Sequence, residues 1–174
     1  MFILKLLAKM VKVLRSEAAP EQIAGGFILG MIPGLTPFWS LHNVVVLLLI
    51  ILLRVNVAAA LFALAVFSAL AYPLDPLFNQ LGYSVLVNLP MLHGLWTALY
   101  SMPIIAFANL NNTIVMGSLI SSLVFLWPVY VLSKSGVVLY REKVDKKIQR
   151  WKIIKIVKSS KIYTFYMKLK KLGG

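Results

Sequence analysis

Along this chain the polar positions gather at the two ends and apolar residues fill the middle. The predominantly apolar runs are 38–53, 57–72 and 113–133, and glycine, proline and asparagine punctuate the stretches between them. Pro20 suits the first position of a helix that runs to about Ile32. The run 38–53 ends at Arg54, and the run 57–72 ends at Pro73. Residues 73–89 carry Pro73, Asp75, Pro76, Asn79 and Gly82, a composition that predicts a loop. Pro90 and Pro103 bracket a further apolar segment, and the run 113–133 begins after Asn111 and Asn112 and contains Pro128. Helical segments bounded by these breakers predict an all-α fold.

Length separates these helices into two kinds. At about 1.5 Å per residue, Glu21–Ile32 covers about 18 Å against roughly 30 Å of hydrocarbon, too little to cross a bilayer. The run 38–53 covers about 24 Å, which is marginal, and 113–133 is long enough unaided. Within residues 25–39 Gly25, Gly26, Gly30, Pro33, Gly34 and Pro37 interrupt an apolar stretch, the pattern of a re-entrant hairpin.

Charge turns this pattern into an integral membrane protein. Four Lys or Arg fall in residues 1–15 and thirteen in residues 134–174, leaving Arg54 as the one basic residue between. Lys5, Lys9 and Lys12 recur at helical spacing, so residues 1–19 read as an amphipathic helix lying in the membrane surface. Two basic ends place both termini in the cytoplasm and require an even number of crossings. Five candidate spans satisfy that rule only if 20–53 and 90–110 are re-entrant hairpins, entered from opposite sides.

That layout implies an inverted repeat, 20–73 against 90–128, inside a membrane domain spanning 20–133. Pro20 and Pro33 are thirteen residues apart, as are Pro90 and Pro103. Asn56 precedes Tyr72-Pro73 by nearly the distance at which Asn112 precedes Trp127-Pro128. The return arms differ in length, 23 residues from Pro33 to Asn56 but nine from Pro103 to Asn112.

The stretches SEAAPEQIAGGFILGMIPGLTPFWS and LLRVNVAAALFALAVFSALAYPLDPLFNQLG, about residues 16–82, resemble the bacterial family called "domain of unknown function twenty sixty-two". The resemblance is carried by Pro20, Ile23, Ala24, Gly26, Phe27, Gly30, Arg54, Asn56, Pro73 and Pro76. In some members a similar domain is joined to a glycosyltransferase that uses lipid-linked sugars. The resemblance therefore implies a small inner-membrane protein and points to lipid or polyprenyl-phosphate handling.

The candidate site follows from helical spacing. Thr36-Pro37 reads as an N-cap and first helical residue deep in the hairpin, with free N–H groups facing the bilayer interior. Ser40, Asn43 and Arg54 then each lie within about 40° of Thr36, a polar stripe suited to an anionic headgroup. The competing account has these groups satisfy the backbone and one another, with Arg54 pairing with Glu21. Gly26, Gly30 and Gly34 recur every four residues, which suits packing within the hairpin. His42 and His93 read as packed polar groups.

From residue 134 onward the chain reads as a basic cytoplasmic helix held by anionic lipid, with no need of nucleic acid. Cysteine is absent, and two histidines do not make a metal site, so neither metal nor cofactor is expected. Without a paired carboxylate or nucleophile–base set, an enzyme is disfavoured. Two function classes remain. The leading one is transport or flipping of an anionic lipid such as a phospholipid or polyprenyl phosphate. The other is a non-transporting accessory or anchoring subunit of a larger envelope lipid-transport complex. Membrane lipids, a larger membrane protein and further copies of the chain are all compatible partners. A transporter needs the polar stripe open; a scaffold needs it packed.

Overall fold

The structure, a computed structural model, describes residues 2–145, so the basic segment beyond Asp145 lies outside the described residues. The described chain is helical: α1 (Phe2–Leu14), α2 (Pro20–Leu35), α3 (Leu41–Leu52), α4 (Val57–Leu86), α5 (His93–Tyr100), α6 (Pro103–Ala106) and α7 (Thr113–Leu139). A three-residue 3-10 turn at Pro90–Leu92 precedes α5, and a wider π-helical turn, Tyr140–Asp145, continues α7.

Helices α2, α4 and α7 form the centre. Gly26 meets Asn56, Gly30 meets Ala60, and Gly34 meets Leu64 and Phe67, so α2 runs parallel to the first half of α4. A Cβ on Gly30 would collide with the Ala60 carbonyl, which is why the two backbones approach so closely. The glycine stripe thus packs across to α4, not within the hairpin. Ala59, Ala60 and Ala63 complete the contact from the α4 side, all of them buried.

At the opposite end Gly82 meets Thr113 and Gly117 meets Phe78, so α7 returns antiparallel to α4. Two apolar clusters hold the centre: Leu29, Ile32, Val46, Ile50 and Ala60, then Met31, Leu35 and Phe78. A third, of Val13, Ile23, Ala59 and Val137, fastens α1 to the end where α2 and α4 begin and α7 finishes.

Several expected boundaries move. Pro73 and Pro76 lie inside α4, a helix of 30 residues, where a loop was expected. Each proline removes one backbone donor, but Leu74, Phe78 and Gly82 pack on α7 around them, and that contact outweighs the local preference. Pro33 likewise lies inside α2, which ends at Leu35. Pro90 and Pro103 do open helical segments, but residues 90–106 form three short pieces of 3, 8 and 4 residues instead of hairpin arms. Helix α7 runs past Ser133 and Lys134 to Leu139, six residues beyond the expected end of the apolar run.

Candidate functional site

The chain reverses between α2 and α3 through a closed set of hydrogen bonds. Thr36 is the C-cap of α2, not the N-cap of α3, and its N–H donates to Ile32 O at 3.0 Å. Its hydroxyl lies 2.9 Å from both Ile32 O and Asn43 Oδ1. Asn43 Nδ2 donates to Pro37 O (2.9 Å) and Phe38 O (3.2 Å). Ser40 is the N-cap of α3, yet its hydroxyl turns back to Pro37 O at 3.0 Å. All three side chains are buried, Asn43 to 1% exposure. Pro37 and the extended backbone at Thr36 carry the chain outward, and Asn43 fills the turn from the first turn of α3. Every bond donated within the set lands on an acceptor of the same turn or of the end of α2.

Arg54 does not join this group. It follows the end of α3, exposed, at the opposite end of that helix. There it borders a cavity of about 450 Å³ with Ala18, Gln22, Val55 and Asn56. Asn56 organises this end: its Oδ1 accepts from Ala59 N at 2.8 Å and its Nδ2 donates to Ser16 Oγ at 3.2 Å. Its backbone N–H donates to Gln22 O at 2.9 Å. Asn112 caps α7 in the same manner, accepting from Ile114 N and Val115 N.

Glu21 pairs with Lys134 at 2.9 Å, not with Arg54. The hydrogen bond from Lys134 holds the Glu21 carboxyl below its usual range. Both side chains are roughly half exposed, so the pair positions α2 against α7 more than it stabilises them. Arg141 was not singled out by the sequence pattern, where it is one basic residue in a basic run. Its guanidinium donates to Leu14 O (3.0 Å), Ser16 O (2.7 Å) and Ala18 O (2.9 Å). It thereby satisfies carbonyls that the end of α1 and its linker leave open.

Among the described residues no three His, Asp or Glu side chains gather as metal ligands. The hydrogen bonds of the turn are directed inward. Outside it lies a wide apolar surface: on α3 only Asn43, Val46 and Ile50 are buried, while Val44, Val45, Leu48, Ile51 and Leu52 are each more than half exposed.

No solved structure matches the chain. It is similar to an "Uncharacterized protein" of Treponema pallidum (strain Nichols), 26% identical over 157 residues that cover 90% of this chain and 96% of that one. Residues 5–146 match a bacterial family, from α1 to the end of the described residues. The chain belongs to the family described as "Uncharacterized protein conserved in bacteria (DUF2062)".

Proposed function

We propose that this is a membrane-embedded, non-transporting accessory or anchoring subunit of a larger envelope complex that handles lipid. The observation that carries this is the closed turn: Thr36, Ser40 and Asn43 use their donors on one another and on nearby carbonyls. A headgroup passing along that stripe would have to break several buried hydrogen bonds, and Arg54 stands too far along α3 to receive it.

Two helices, α4 and α7, are long and apolar enough to cross a membrane. Only 17% and 28% of their most apolar windows are buried inside the molecule, whereas a soluble core helix is mostly buried. Together they take the chain across the bilayer and back. The end bearing α1, Lys134 and Arg141 then faces the cytoplasm of a bacterial inner membrane, by the positive-inside rule. The open apolar face of α3 suits lipid or a helix of the partner. The anionic-lipid reading retains one support, the cavity beside Arg54, which fits a headgroup held at the membrane surface rather than conducted across it.

The test is reconstitution of the purified protein in vesicles with labelled phosphatidylglycerol or polyprenyl phosphate. The expected result is no acceleration of headgroup movement between leaflets. In intact cells, photo-crosslinkers at Val45 and Leu48 should capture one larger membrane protein. Accelerated movement that Thr36→Val or Arg54→Gln abolishes would overturn the reading.

A further inference from the structure

At the end of the molecule opposite the Glu21–Lys134 pair, the turn after Pro37 meets the segment leading into α7. Leu41 N–H donates to Phe107 O across this junction at 3.4 Å. Between the two walls lies a cavity of about 510 Å³ bordered by Trp39, Ser40, Asn109, Asn111 and Asn112. That volume falls in the range of ligand pockets, about 300–1,000 Å³. None of its lining residues is charged.

We propose that this cavity binds a neutral polyhydroxyl group, the sugar of a glycolipid or a free saccharide. The polar groups lining the cavity are largely unoccupied. Among the described residues no intramolecular hydrogen bond engages the carboxamides of Asn109 and Asn111 or the Trp39 indole N–H. Asn112 commits its Oδ1 to Ile114 N and Val115 N, which leaves its Nδ2 free. A carboxamide carries an acceptor oxygen beside two donor hydrogens, the pairing that adjacent sugar hydroxyls present in return.

Trp39 is 88% exposed and stands at the rim, braced edge-on by Phe38 with ring centroids 5.5 Å apart. An indole there offers a flat apolar face to the C–H side of a sugar ring while its N–H stays available. The backbone supports the arrangement. Asn109 sits at a positive φ of 52°, a region asparagine tolerates, and its carbonyl accepts from Asn112 N at 2.9 Å. This tight turn presents the three asparagines together. A phosphate would find no cation here, and an acyl chain would strip water from several amides without replacing their partners. That the cavity opens away from the cytoplasm rests on the orientation proposed above; the binding itself does not.

The experiment uses the full chain in phosphatidylcholine nanodiscs, with tryptophan fluorescence and calorimetry as readouts. One arm titrates neutral soluble di- and trisaccharides. The other incorporates monoglucosyl diacylglycerol in the nanodisc, with phosphatidylglycerol as the anionic comparison. Saturable binding is expected in at least one sugar arm, and the arm that responds identifies the source as free saccharide or glycolipid. Trp39→Ala and Asn111→Ala, both at exposed positions, should each weaken binding about tenfold with an unchanged melting temperature. Asn109→Gly, which keeps the backbone conformation, should do the same. Absence of binding in both sugar arms, equal binding by the variants, or a stronger response to phosphatidylglycerol would each overturn the proposal.

Discussion

Two proline-bracketed segments of this protein begin alike and end differently. Residues 20–56 and 90–112 both open on a proline at the first helical position, carry a second proline thirteen residues on, and finish on an asparagine that caps a long helix. The first presses into the centre, with Ala24 and Met31 fully buried. The second lies along the surface, and of its described side chains only Ala108 is buried. The difference lies in the glycines of the two segments. Gly26, Gly30 and Gly34 let α2 approach α4 until backbone meets backbone. Gly94 has nothing near the place a Cβ would occupy, and its neighbours include His93, Thr97 and Ser101, which hydrogen-bond nearby carbonyls. For α7, the glycine contacts are supplied by Gly82 of α4 and by its own Gly117, both outside the second bracket.

The sharpest way to break this comparison is at the glycines. Gly30→Val should destabilise the protein by about 3 kcal/mol, since the added side chain meets the Ala60 backbone and not a yielding side chain. Gly94→Ala should instead leave stability unchanged or raise it by up to about 1 kcal/mol, because α5 has open space there. Thermal unfolding in one detergent measures both; equal effects would remove the distinction between the segments.

The two turns sharpen it further. Asn43→Ala removes the donor to Pro37 O and Phe38 O and the acceptor near the Thr36 hydroxyl, at a cost of about 2 kcal/mol. Asn111→Ala, exposed and unbonded, should fall within about 0.5 kcal/mol of wild type in the same melts. The caps come next. Asn112→Ala should cost about 1 kcal/mol as a lost N-cap, and Asn56→Ala somewhat more, because Asn56 also holds Ser16.

How much of this was legible depends on the range of the cause. Pro20 as the opening of α2 follows from the local chain, as does the end of an apolar run before Arg54. The grouping of Thr36, Ser40 and Asn43 was also readable, though through a helix that does not exist at Thr36. The three meet because the chain reverses there, and the helix of α3 starts only at Leu41. The prolines at 73 and 76 mislead because their effect is local while the compensation comes from α7, some forty residues on. Glu21 has Arg54 and Lys134 as candidate partners, and nothing in the spacing says that α7 ends beside α2. The asparagine turn at 109–112 signals a helix start in sequence; its meeting with Trp39 is purely tertiary.

The smallest expected effect concerns that ion pair. The Glu21 carboxyl ionises more readily in the folded protein than its usual value near 4.5, so its contribution is complete above that value. It fades as pH falls through the lowered folded value. The melting temperature difference between wild type and Lys134→Gln should therefore be small at about pH 7 and shrink further toward about pH 3. A difference that persisted at the acidic end would assign Lys134 a packing role instead.

Arg141 has a consequence for the order in which the molecule can be assembled. Its three acceptors lie 123 to 127 residues upstream, on Leu14, Ser16 and Ala18. During synthesis those carbonyls emerge first and wait for their donor until all of α7 has been made. The end of α1 and its linker can thus pack on α2 and α4 early, through Val13 and through Ser16 at Asn56, while the three Arg141 bonds close last and mark that both long helices are in place.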